Sequence, residues 1–217
     1  MSSIAATRKL TPNQQARRHR ILEAARTLVA KHGYDGMIMR DVANLARVSP
    51  TTLYNLYNTK DELLLEALTE GVTEGFGRTA EQAPKLGFER LIAQTHQSVS
   101  ETREAPAYAK AITQALLRAG PGDQIVEVLI HRSVRAVVSS LRAMHELDQL
   151  QSDTNIGELA VAIVGSFWSN YMLWSKGIVS IDRLEQQIRR GYLANLLPAT
   201  KGAISAKIHS LLEELQP

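Results

Sequence analysis

The chain has 217 residues, 44% of them hydrophobic, with a net charge of +3 and no cysteine. That length holds one or two domains with real cores, and the lack of cysteine excludes a disulfide framework, a thiolate metal site and a thiol nucleophile. No apolar stretch followed by a cleavage site opens the chain, so no signal peptide is expected; the longest apolar run, Leu159 to Trp174, is interrupted by Gly165, Ser166, Ser169 and Asn170 and reads as too short and too polar for a membrane span.

The charge is unevenly placed. Residues 1–60 carry ten Lys/Arg against three Asp/Glu, whereas the rest of the chain is acidic on balance. A basic first third is a candidate for phosphate contact. Residues 1–10 lack periodicity and read as a flexible tail, in which Arg8 and Lys9 are cationic. Thr11-Pro12-Asn13-Gln14 has the form of a capping box with proline at the first helical position. The helix it opens buries Ile21, Ala25, Leu28 and Val29, and Gly33 is expected to end it as a left-handed cap against which Tyr34 packs.

A second helix begins near Ile38 or Met39, with Val42, Ala43, Leu45 and Ala46 as its apolar face, and Arg47-Val48 makes a tight turn. Ser49 is placed to cap the next helix, residues 50–57, and Pro50 sits where a missing N–H costs nothing. That helix is too short to fold alone. Its outer face carries Thr51, Thr52, Tyr54 and Asn55, donors and acceptors with no acid among them, which suits a helix lying in a major groove. Thr59 to Glu62 forms another capping box, and the helix that follows contains Gly71, Gly75 and Gly77, read as close packing or simple fraying on the one hand, or as a compliant joint on the other.

Pro84, Pro106, Pro121 and Pro198 divide the remainder into helices with apolar stripes, among them Phe88, Leu91, Ile92 and Val99, then Ile125, Leu129, Val134, Val138 and Leu141. Asn155 opens a helix that is apolar nearly all round, so both its faces should be buried. One face carries Gly157, Ala162, Gly165 and Ser169, small enough for close helix approach. Ser180 is expected to cap the next helix, with Leu184, Ile188, Tyr192 and Leu196 along one side. No alternating strand pattern, phosphate loop, nucleophile elbow or paired-histidine metal motif occurs, so no catalytic residue, metal or cofactor is expected. Trp168, Tyr171, Met172 and Trp174, with His96, Tyr108, His131 and Asn170 as polar groups, are candidates for lining a small-molecule pocket.

The stretches ILEAARTLVAKHGYDG, MRDVANLARVS and PTTLYNLYNTKDELL, spanning about residues 14–66, resemble the DNA-binding half of the tetracycline-repressor-like (TetR) regulators. The resemblance implies an all-α fold: a helix-turn-helix DNA-binding domain over residues 11–62, then an effector-binding and dimerisation bundle over 63–217. It implies base reading by Arg40, Pro50, Thr51, Tyr54 and Asn55, with Ser49 beside them. Phosphate anchoring falls to Thr52, Tyr57, Lys60 and the arginines of the first helix. The small residues at 157, 162, 165 and 169 and the stripe at 184, 188, 192 and 196 would form a four-helix interface between two copies. The expected partners are a palindromic operator, a second copy and an apolar or aromatic effector, in the cytoplasm and without a membrane. Two rival readings are a DNA-binding dimer that takes a protein partner instead of an effector, and a helical-bundle enzyme. This chain departs from the family's habit at Met37-Ile38-Met39, where hydroxyl residues are usual, and at Arg47, where glycine is common.

Overall fold

The computed structural model describes residues 11–82 and 85–215, without the side chains at 72–76, 79, 80 and 82. The expected tail over 1–10, Gly75 and Pro84 lie outside that description. Every regular element described is helical; among the described residues the only bridge between extended residues is an isolated one joining Leu150 to Thr200. The chain divides into two compact units, the first ending at Leu68 and the second starting at Thr69. The head thus takes in the first turns of the helix expected to start the body, because Leu63, Ala67 and Leu68 are buried.

The head is built from α1 (Pro12–Gly36), α2 (Met39–Leu45), α3 (Pro50–Leu56) and the start of α4 (Lys60–Gln82). At the start of α1, Thr11 accepts from the Gln14 N–H at 3.3 Å while the Gln14 side chain accepts from the Thr11 N–H at 2.8 Å. Ile21, Leu22, Ala25 and Val29 give α1 its buried stripe; Val42 and Ala43 of α2, which packs against α1, and Leu53 of α3, which packs against α2, are buried as well. Gly33 differs from the expected left-handed cap: its φ of 71° is positive, but its ψ of 178° is extended. Only glycine adopts that region readily. A Cβ there meets nothing within 4 Å, so backbone strain alone opposes substitution. Gly33→Ala is expected to cost about 1–3 kcal/mol, read as a lowered denaturation midpoint with unchanged slope.

The capping box before α4 also closes differently. The Glu62 N–H donates to the Thr59 hydroxyl at 3.1 Å, but the Glu62 carboxylate reaches the N–H of Asn58 rather than that of Thr59. Helix α4 continues through Gly71 and Gly77, and a Cβ at Gly77 would meet nothing within 4 Å, so close packing does not explain that glycine.

The body comprises α5 (Phe88–Glu104), α6 (Pro106–Arg118), the short α7 (Gln124–Val126), α8 (Arg132–Glu146), α9 (Ile156–Ser175), α10 (Ile181–Leu196) and α11 (Gly202–Glu214). A π turn, Glu127–His131, joins α7 to α8. It explains why the stripe predicted across this region steps five residues from Leu129 to Val134: the extra residue is absorbed by the wider turn. Helix α9 packs against α6, α8 and α10. By length and composition its 20 residues do satisfy the requirement for a membrane span, contrary to the reading of the shorter run. Ala160, Ile163, Val164, Tyr171 and Trp174 instead bury one side of it in the protein core. The other side is not buried within the protomer, as Val161, Ala162, Gly165 and Ser169 are exposed. Asn155 caps α9 by accepting from the N–H groups of Gly157 and Glu158. Ser180 occupies the cap position of α10 but makes no side-chain capping bond.

Candidate nucleic-acid interface

The seven residues of α3 are fixed at both ends and in the middle. Ser49 accepts from the Thr52 N–H at 3.0 Å, and the two hydroxyls bond to each other at 2.8 Å. Leu53 is fully buried and anchors the centre. In the turn before α3, Arg47 has a φ of 56°, the strained left-handed backbone expected for an arginine standing at this turn. The turn is tied inward, since the Val48 N–H donates to the Ala43 carbonyl and Arg20 Nε donates to that of Ala46. Pinned this way, α3 presents Pro50, Thr51, Tyr54 and Asn55 to solvent, and Arg40 and Arg47 are exposed nearby in sequence. Thr52 is half-buried beside its capping partner.

Two expectations fail here. Tyr57, assigned to phosphate, is only 4% exposed. Its hydroxyl is shared between Glu66 and Arg18, and burial, then the Glu66 carboxylate, pushes the phenol's pKa upward. Arg18 and Glu66 are themselves ion-paired, so the three side chains join α1, the end of α3 and α4. Leu45, expected on the apolar face of α2, is 51% exposed. Lys60 is half-buried: its Nζ lies 4.4 Å from the centre of the Tyr34 ring and donates to the Asp35 carbonyl at 3.4 Å. Tyr34 in turn bonds to Asp61, so the corner after Gly33 is held to the start of α4. At the other departure from the family pattern, Ile38 precedes α2 without any side-chain cap, while Met37 and Met39 are buried.

In the body, the proposed pocket residues do not converge. Tyr171 is buried and its hydroxyl lies 2.7 Å from that of Ser98 and 2.8 Å from that of Thr102. Burial raises its pKa to about 12, partly offset by those hydroxyls. Trp174 is buried beside it, ring centres 5.9 Å apart, and Lys110 lies over the Trp174 ring. His96 is instead exposed and paired with Glu185, and His131 is exposed and paired with Glu127. Trp168 borders a groove between α8 and α9. Asn170 is half-buried and donates to the Ser166 carbonyl, Met172 is exposed, and Tyr108 is half-buried on α6. Ser98 and Thr102, spaced i,i+4 on α5, were missed by sequence reasoning although that spacing puts two hydroxyls on one face.

Half of the expected dimer interface is also displaced. Leu184, Ile188, Tyr192 and Leu196 are at most 4% exposed and belong to the protomer's own core. They hold α10 to the body and are not available to a second copy. Gly157, Ala162, Gly165 and Ser169 are exposed along α9. Among the described residues no cluster of three or more metal-binding side chains occurs.

Residues 21–67, most of the head, match the family model of bacterial regulatory proteins of the tetR family. The HTH-type transcriptional repressor KstR of Rhodococcus jostii is 27% identical over 74% of this chain and 74% of its own length. KstR of Mycobacterium tuberculosis is 29% identical over 58% of this chain and 60% of its own. Among solved structures, the fatty acid degradation regulator FadR of Bacillus halodurans aligns with a TM-score of 0.68 at 20% identity, covering 87% of this chain and 97% of that one. FadR of Thermus thermophilus, a repressor solved with lauroyl-CoA, aligns at 0.66 and 20% identity over 85% and 100%. These structural likenesses establish the fold; with the match across the head and the repressors related along most of the chain, they place this protein among the tetR-family regulators of transcription.

Proposed function

We propose that the chain is a homodimeric repressor that binds a palindromic operator and is released from it by a small, largely apolar molecule. The observation that carries the reading is the acid-free exposed face of α3, flanked in sequence by Arg40 and Arg47 and held rigid by Ser49 and Leu53. In this reading Thr51, Tyr54 and Asn55 meet base edges, with Arg40 reading a purine and Pro50 packing beside it. Ser49, Thr52, Lys60 and the α1 arginines serve the backbone. Tyr57 has no direct role, since it is spent on Glu66 and Arg18.

Two copies meet in this proposal through Gly157, Ala162, Gly165 and Ser169 of α9. The effector enters the body, where Tyr171, Ser98, Thr102 and Trp174 offer a few polar groups among apolar walls, the usual make-up of a ligand site. Support for that class comes from a distant structural relative solved with lauroyl-CoA. The effector acts by favouring one spacing of the two heads over another. Such a regulator works on chromosomal DNA in the cytoplasm.

The assignment is tested on a panel of duplexes. Arg40→Ala is expected to cost about 1–3 kcal/mol and to relax preference at one base pair, whereas Lys60→Ala weakens all sequences about equally. The reverse pattern would exchange the base reader and the anchor.

A further inference from the structure

Helix α2 ends in a Schellman motif. The Val48 N–H donates to the Ala43 carbonyl at 3.0 Å, and the Arg47 N–H donates to that of Asn44 at 3.1 Å. Those two bonds put Arg47 at the position just past the cap, which needs a left-handed backbone and prefers glycine, sometimes asparagine. Arg47 adopts that backbone, with a φ of 56°. There its Cβ crowds the following carbonyl oxygen. Nothing in the protomer offsets the strain. Arg47 is exposed, and among the described residues its guanidinium has no hydrogen bond, ion pair or ring contact. A second guanidinium stands at the same turn. Arg20 Nε donates to the carbonyl of Ala46, the residue just before Arg47, at 3.4 Å. Arg20 is also exposed, with no acidic partner among the described residues. Two like charges at one turn repel each other. The folded protomer therefore gains nothing from a cation at 47, whereas a bound anion would.

We propose that Arg47 is a phosphate contact of the DNA-bound head, gripping the backbone beside Arg20 at the edge of the groove that α3 enters. The proposal rests on α3 being the recognition helix. In a helix-turn-helix the first helix crosses the DNA backbone and the second lies in the major groove. The turn that joins them stands over the groove edge, where the phosphates are. A contact made from that turn positions the head and carries no sequence information. The turn itself does not depend on the arginine, because its hydrogen bonds are made by backbone groups of residues 43, 44, 47 and 48 and by Arg20. The cation can therefore be removed without removing the turn.

The test uses the full-length protein, the palindromic duplex that the wild type enriches from a random-sequence pool, and single-base-pair variants of that duplex. Affinities are compared between about 50 and 200 mM salt, where each phosphate contact adds about 0.9 to the slope of log affinity against log salt. Arg47→Gly is expected to reduce that slope by about one for each head bound and to weaken all the duplexes by about the same factor. It is also expected to raise the denaturation midpoint, because glycine accepts the left-handed backbone. Arg47→Gln keeps the strain and loses the charge; it should match Arg47→Gly in DNA binding without the higher midpoint. Arg47→Lys keeps the charge and should keep the slope. A slope unchanged in both the Gly and the Gln variants would overturn the proposal and leave the reading of α3 intact. A loss confined to one base pair would also overturn it, by making Arg47 a base reader. A wild type that enriches no duplex, or whose affinity is flat with salt, would overturn the reading of α3 and this proposal with it.

Discussion

Gly165→Trp is expected to convert the dimer to monomer and to lower operator affinity by about 10²–10⁴-fold, the avidity that two linked heads supply. Gly165 is exposed on α9, and a Cβ built there meets no atom of its own protomer within 4 Å. The folded protomer therefore has room for the indole. A second α9 approaching closely does not, because overpacking a helix contact forces both backbones apart. Sedimentation should show a monomer with an unchanged helical circular dichroism signal. An intact dimer would remove residue 165 from the interface, and a monomeric wild type at micromolar concentration would remove the interface itself. Gly191 makes an instructive contrast. Its Cβ would lie 2.1 Å from the Ser166 Oγ, so α9 and α10 already touch there within one protomer, and a large side chain at 191 attacks the fold instead.

Leu53→Ala is expected to destabilise the head by about 2–5 kcal/mol, the range for emptying a fully buried leucine site. A small unit has little stability to spare, and α3 has only seven residues and one fully buried side chain to hold it. Hydrogen exchange should therefore show lost amide protection over α1 to α3 while α9 and α10 keep theirs, together with lost DNA binding. Equal loss throughout would mean that the two units do not unfold separately. No loss anywhere would mean that α3 is held by its caps and not by Leu53.

Local signals in the sequence proved the most informative. Thr11, Ser49 and Asn155 cap the helices they were expected to cap, because a cap needs only a hydroxyl or amide at one position and the backbone N–H groups just after it. The left-handed Arg47 was legible for the same reason: the turn between two short helices demands that backbone whatever residue stands there. What failed was any inference about which partner a face meets. The stripe Leu184, Ile188, Tyr192 and Leu196 is a genuine buried face, but periodicity says only that a face is buried and not against which chain. The pocket assignment failed through geometry. Trp168, Asn170, Tyr171 and Met172 are close in sequence, yet successive helical residues turn about 100°, which sends them to a groove, a neighbouring helix, the core and solvent. Tyr57 was misplaced because its partners, Arg18 and Glu66, are distant in sequence and carry no motif.

The most direct measurement is the affinity of the wild-type dimer for a palindromic operator duplex between 50 and 200 mM salt, beside a scrambled duplex of equal length. Lys and Arg contacts release counterions, and six to ten phosphate contacts correspond to a fall of about 10³–10⁵-fold over that interval. The account predicts a steep fall of that order and tighter binding of the palindrome at every salt concentration. Affinity that stays flat with salt, or that is equal for the two duplexes, would contradict it.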